Sequence, residues 1–309
     1  METRPNTAIV LSGGASLGAI QAGMLRALYE REVAADLILG ASVGALNGAF
    51  IASRPATVET ALELAEVWRG IGRGQVFPLN PLTGFLGFFG ARDHLISQHG
   101  LRQLVEEQIE FDALEDAPTP FHVITTDLLS GRELRISRGN AIEAVLASAA
   151  IPGVFPPVEW DGRALIDGGI ANNTPIADAI ELGAERIYVL PTGNACDLTH
   201  TPRGAVAMLL HATSLLIMSR LLVEIELLRD QAELIVLPPP CPLAVAPMDF
   251  SHAEELIRRG YEDGRDYLEA AEAGNAAVPL PMAMHDHRGR RHRSDQEAHA
   301  SAATFSASP

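Results

Sequence analysis

The sequence predicts an α/β protein of three layers, α/β/α, on a mostly parallel central sheet. Three observations carry that prediction. Short β-rich runs alternate with helical runs along most of the chain, the pattern of a parallel sheet covered on both faces. The first run, Thr7–Leu11 (TAIVL), is apolar from Ala8 onward, as a buried strand is. Two glycine-bearing turns each stand directly between a strand and a helix.

In chain order, Thr7–Leu11 leads through the turn Gly13–Gly18 into a helix over Ala19–Arg31 with an apolar face. Leu37–Ala41 is the second strand, followed by a turn at Ser42 and a helix to about Ser53. Thr57–Trp68 reads as helical. Phe121–Asp127 and Arg132–Ile136 are strands around a Ser130–Gly131 turn. Asn140 and Glu143 are spaced as a cap pair for a short helix over Asn140–Ser148. Ala164–Ile166 is a short strand before a Gly-Gly turn, and Arg186–Leu190 and Leu234–Leu237 are buried strands. Pro202 and Gly204 open a long helix ending near Leu228. Ser251-x-x-Glu254 has the form of a capping box for a last helix to about Glu272.

The chain has 309 residues, 47% apolar and 20% charged, which are globular values with ample material for a core. One domain is expected over residues 1–275. Within it, 69–99 is rich in Gly and Pro and carries Phe77, Leu79, Leu82, Phe85, Leu86, Phe88 and Phe89. Such a segment is either a lid or lipid-facing insertion, or packs on the core. The stretch 276–309 has no apolar periodicity and is expected to be a disordered tail, its histidines solvated.

Net charge is −16, so a face that neutralises nucleic-acid phosphates is not expected. All 23 basic residues are Arg, which excludes chemistry that needs a lysine amine of this chain: a P-loop, a kinase strand lysine, a Schiff base. Cys196 and Cys241 cannot build a disulfide framework or a four-cysteine zinc site. No compact His/Cys cluster marks the body of the chain, so neither metal nor cofactor is expected. The N-terminal residues lack the pattern of a cleaved leader. The longest apolar stretch, Ala205–Leu222, is interrupted by His211 and Arg220, against the roughly 20 uncharged residues of a spanning helix. A cytoplasmic protein, peripheral at most on a membrane, is the expectation.

Two motifs could carry chemistry. Gly40-Ala41-Ser42-Val43-Gly44 is a G-x-S-x-G between a strand and a helix, where a nucleophile elbow belongs. The helix N-terminus would aim its partial positive charge at the site; alternatively Ser42 merely caps the helix. Ser12-Gly13-Gly14-Ala15-Ser16-Leu17-Gly18 lacks the glycine spacing of a dinucleotide loop. It suits an oxyanion hole of backbone N–H groups, or is a tight turn without function. A serine nucleophile needs a base. His200 is the best histidine for a triad, but Ser42 follows the second strand, earlier than an α/β-hydrolase elbow. The alternative is Asp167 of Asp167-Gly168-Gly169, at the C-terminal end of its strand as Ser42 is of its own.

Four stretches in order decide between these. LSGGASLGAIQAGML, GASVGALNG, Ala147–Pro157 (ASAAIPGVFPP) and Asp167-Gly168-Gly169 with Asn172-Asn173-Thr174-Pro175 together resemble the bacterial patatin-like phospholipases over about residues 7–270. The resemblance implies a patatin-like fold and a catalytic dyad of Ser42 and Asp167. It implies an oxyanion loop on Gly13, Gly14 and Gly18, with Ala15 and Val43 beside it and Gly40, Gly44, Gly168 and Gly169 shaping the turns. The family loop usually has a third glycine and a basic residue where this chain has Ala15 and Leu17. A positive φ at Ala15 would cost about 1 kcal/mol. The implied activity is hydrolysis of phospholipid, lysophospholipid or other acyl esters, without a cofactor and with transient contact to a membrane surface. Acyl transfer and a silent lipid-binding role are the alternatives. Oligomeric state is not legible.

Overall fold

The computed structural model describes residues 6–76, 96–198 and 200–273. Most of the expected insertion and the whole expected tail lie outside the described residues. The elements are β1 Thr7–Leu11, α1 Ala19–Tyr29, β2 Leu37–Ala41, α2 Val43–Ala52, α3 Val58–Gly70, α4 Arg73–Val76, α5 His99–Gln108, β3 Phe121–Asp127 and β4 Glu133–Ile136. There follow α6 Ala141–Ser148, β5 Val158–Trp160, β6 Arg163–Asp167, α7 Ile176–Glu181, β7 Arg186–Leu190, α8 Ala205–Leu228, β8 Glu233–Val236 and α9 Ala253–Glu272.

One sheet runs in the order β5-β6-β3-β2-β1-β7-β8, with β4 paired to β3 off that path. The stretch β3-β2-β1-β7-β8 is parallel, and β4, β5 and β6 are antiparallel additions. Both faces are covered, which is why β1 has no polar alternation. Ala8 and Val10 pack with Ile176 and Ala179 of α7 and Met218, Leu221 and Ile225 of α8. Ile9 and Leu11, one residue out of phase, pack in the other core with α1, α2, α3 and α9. The α/β/α layering and mostly parallel sheet are as expected.

Four elements had no prediction, the single turn α4 within the Gly- and Pro-rich segment among them. β5 is three residues at the sheet edge, too short for a periodic signal. α7 is one and a half turns behind Pro175. α5 buries Leu101 and Val105, an i, i+4 pair with Leu104 half-buried beside them, on a run that is polar elsewhere. Asn140 does cap α6, its Oδ1 accepting the Glu143 N–H at 2.9 Å. The Ser251 capping box is not formed. Asp249 takes both the Ser251 hydroxyl (2.6 Å) and the Ser251 N–H (3.0 Å), so that hydroxyl is spent as a donor. A 3-10 turn, Phe250–His252, intervenes, and α9 starts at Ala253 without a side-chain cap. The Cys196 and Cys241 sulfurs stand 3.9 Å apart, too far for a disulfide bond.

Candidate active site

Strand register brings Ser42 to Asp167. Val123 and Ile124 of β3 pair with β2 on one edge and β4 on the other, whereas Thr125 and Thr126 pair with β6 and still with β4. β2 and β6 therefore share one edge of β3, end to end. Ala41 faces Ile124 and Asp167 faces Thr125, so consecutive residues of β3 hold the two strand ends against each other. This corrects the expected route to the meeting. β6 is antiparallel to β3, and its C-terminal end comes down onto the end of β2 because it pairs only with the part of β3 that overhangs β2. The Ser42 hydroxyl donates to Asp167 Oδ2 at 2.7 Å.

Ser42 has φ 53° and ψ −125°, a positive-φ conformation that strains a residue with a side chain, and it makes no side-chain cap bond to α2. The cap alternative is thereby excluded. The flanking glycines are needed for close approach. A Cβ on Gly40 would lie 2.3 Å from the Gly44 oxygen, and one on Gly44 would lie 2.1 Å from the Leu11 oxygen. Ser148 pins the strained turn: its hydroxyl accepts the Ser42 N–H at 2.8 Å and donates to the Ile124 oxygen at 2.6 Å. Ser148→Ala strands a buried N–H and a buried C=O, so we expect about 1–3 kcal/mol of destabilisation in denaturant unfolding, with slower turnover of any reaction at Ser42.

Asp167 is held at every polar atom. Its Oδ1 accepts the Gly169 N–H at 2.8 Å, its carbonyl accepts the Thr126 hydroxyl at 2.9 Å, and its N–H reaches the Ala150 oxygen at 2.9 Å. Burial pushes the carboxyl up to about 6, against the lowering pull of the Ser42 and Gly169 bonds. Among the described residues, no histidine bonds the side chain of Ser42 or Asp167. The loop beyond is anchored by Asn172 Nδ2, which donates to Glu133 and Asp178 at 3.0 Å each. Burial and the charge of Asp178 push Glu133 up to about 7.

The glycine loop is aimed by its carbonyls. Gln21 Nε2 donates to the Ser12 oxygen at 2.9 Å. Thr192 Oγ1 and Asn173 Nδ2 donate to the Gly13 oxygen at 2.7 and 3.3 Å. A trans peptide sets its N–H opposite its C=O. Fixing the Ser12 and Gly13 carbonyls therefore turns the Gly13 and Gly14 N–H groups the other way. Gln21 is itself held by Asn47 at 2.8 Å, and Asn47 by the Trp68 indole N–H at 3.0 Å. The Ser16 and Leu17 N–H groups are taken by Pro247 and Gly14, and Gly18 closes the 3-10 turn Ala15–Gly18. Among the described residues no acceptor meets the N–H groups of Gly13, Gly14, Ala15 or Val43. Sequence reasoning missed Ser148, Thr192, Gln21 and Asn47, because their roles exist only once distant segments meet.

Ala15 has φ 50°, so the strained alternative for this position is the one realised. Ala15→Gly removes that strain but frees the unfolded chain. The net gain expected in thermal unfolding is small and stabilising, up to about 1 kcal/mol. Leu17 is fully buried in the core.

An apolar cleft opens at Ser42, walled by Ala15, Leu46, Phe50, Trp68, Leu104 and Phe155 among others. Val43, Leu46, Asn47 and Phe50 of α2 all line it, an i, i+3, i+4, i+7 spacing. The cleft therefore follows that helix for about 10 Å.

The site is thus a strained serine on a strand-to-helix turn, hydrogen-bonded to a buried carboxylate beside open N–H groups and an apolar cleft, in a mixed α/β fold. Within it, residues 9–180 match the patatin-like phospholipase family model, and the chain belongs to that family. It is 27% identical over 203 residues to lysophospholipase NTE1 of Mycosarcoma maydis, covering 63% of this chain and 10% of that one. An uncharacterized NTE family protein of Mycobacterium tuberculosis is 31% identical over 182 residues, 59% of this chain and 47% of the other. The chain thus spans less than half of either relative. Among solved structures, VipD of Legionella pneumophila aligns over 97% of this chain and 75% of its own, with TM-score 0.46 and 15% identity.

Proposed function

We propose that this chain is a serine acyl-ester hydrolase of phospholipase, lysophospholipase or esterase type, working through a Ser42–Asp167 dyad. The observation that carries it is the 2.7 Å hydrogen bond from Ser42 to a buried Asp167 at the head of an apolar cleft. In this reading Ser42 Oγ attacks the ester carbonyl as its proton passes to Asp167 Oδ2. The N–H groups of Gly13 and Gly14, with Ala15 and Val43 beside them, take the developing oxyanion. Asp167 returns the proton to the leaving alcohol. Water then attacks the acyl-enzyme as Asp167 takes its proton, and Asp167 passes that proton to Ser42 Oγ as the ester bond to Ser42 breaks and the carboxylic acid leaves. The acyl chain lies in the cleft along α2. These steps call on no metal or cofactor.

An ordinary aspartate is too acidic to be an efficient base for a hydroxyl. At about 6, Asp167 is better matched yet still ionised at neutral pH. Only its ionised form accepts the proton. Turnover of a short acyl ester, followed from about pH 5 to about pH 8, is therefore expected to rise through an inflection near 6 and then level. A flat profile across that range contradicts Asp167 as the base. The deciding experiment is release of p-nitrophenol from short- and medium-chain esters by the wild type and by Ser42→Ala. Hydrolysis without an added acceptor separates this reading from acyl transfer. Lipid binding without turnover would mark a silent lipid-binding protein, the reading that Ala15 and Leu17 motivate.

A further inference from the structure

We propose that the end of the sheet carrying Ser42 docks on a phospholipid surface, through the free half of α8 and the tip of the β3–β4 hairpin. This rests on reading the site as one that acts on lipid esters.

The first observation is one of length. α8 has 24 residues, about 36 Å of helix, while the β7 strand before it has five, about 17 Å. Only residues 229–232 join α8 to β8, which starts at the same end of the sheet as β7. The excess of α8 must therefore project past the end where the parallel strands finish, and Ser42 directly follows β2 at that end. Burial agrees. Met218, Leu221 and Ile225 are buried on the sheet, whereas no described side chain from Ala205 to Ile217 is buried. Arg220 donates to the Ala171 oxygen, in the loop after Asp167, so the residues before it lie beyond the catalytic loop.

That free half is unusual for a surface in water. From Ala205 to Ser219 it holds no Asp, Glu, Lys or Arg. Leu209 is 58% exposed and Leu216 72% exposed. The hairpin tip repeats the chemistry. β3 runs three residues, about 10 Å, past the residue facing the end of β2. Its turn then presents Leu128 and Leu129, the latter 92% exposed, and Ile170 stands half-exposed three residues after Asp167. Asp127 is tied up by the N–H groups of Leu129 and Ser130. Arg132 on the hairpin and Arg203 before α8 are exposed. Apolar groups flanked by arginines at the sheet end that carries Ser42 complement acyl chains under a layer of phosphates. With a net charge of −16, the contact is expected to rest on the leucines more than on anionic lipid.

The test is co-sedimentation of the full chain with phosphatidylcholine vesicles, beside turnover of a soluble p-nitrophenyl ester. Leu129→Asp and Leu216→Asp, at separate places on this end, are each expected to weaken partition about tenfold or more. Leu227→Asp, 69% exposed on the packed half of the same helix, is expected to leave partition unchanged. Soluble-ester turnover should stay within about twofold of the wild type in all three. No partition by the wild type, or equal partition by the two tip variants, overturns the proposal. So does loss of partition in Leu227→Asp together with loss of a dimer in size exclusion, which would assign the helix to a second copy. Partition that depends on Leu129 and Leu216 without any ester turnover supports the docking surface and contradicts the hydrolase reading, so the two fail separately.

Discussion

Ser42→Ala is expected to lower kcat/KM for acyl-ester hydrolysis by about four to six orders of magnitude, with a drop of only a few degrees in melting temperature. The rate effect follows from the proposed chemistry: without the hydroxyl there is no covalent step, and what remains is the background helped only by the oxyanion loop and the cleft. The modest stability effect comes from one lost contact, the hydroxyl that donates to the buried Asp167 carboxylate, and the rest of the turn is kept. The strain at φ 53° belongs to the backbone and is shared by Ala. The Ser148 bond that pins the turn is made by the Ser42 N–H, which the substitution keeps. A large drop in melting temperature would mean that lost activity reports unfolding, so both quantities must be measured together.

Asp167→Asn is expected to cost about three to four orders of magnitude in the same rate, because an amide cannot accept the serine proton. Its effect on stability has a sign that depends on pH. The wild-type carboxyl titrates at about 6 in the folded chain against an ordinary 3.8, so the folded state holds the proton more tightly. That contribution to stability is fully present below about pH 4 and is lost as pH rises through about 6. The asparagine variant lacks this titration. Its unfolding free energy relative to wild type should therefore increase between about pH 4 and about pH 7. Parallel denaturant titrations at several pH values check this. A constant difference would mean that burial does not perturb this carboxyl.

Most of the parallel sheet was legible because its strands are short, largely apolar runs bounded by turns. β1, β2, β3 and β7 fall on the residues the sequence indicates. Ser42 and Asp167 were legible as motif positions, though the end-to-end meeting of β2 and β6 on one edge of β3 was not, since nothing local to Ala164–Ile166 sets its direction. The supporting polar groups were opaque for another reason. Gln21, Thr192 and Ser148 are ordinary residue types in ordinary helices and loops, and only the folded chain shows which carbonyl or N–H each one holds. The positive φ of Ala15 was visible as a question and required coordinates for its answer.

The central claim is that Ser42 becomes acylated. The most direct measurement is covalent trapping with an alkyl fluorophosphonate, followed by peptide mass mapping of the labelled chain. The proposed mechanism predicts one label per chain on the peptide containing Ser42, none in Ser42→Ala, and much slower labelling in Asp167→Asn. Ester turnover by the wild type with Ser42 unlabelled, or equal labelling in Ser42→Ala, would contradict it.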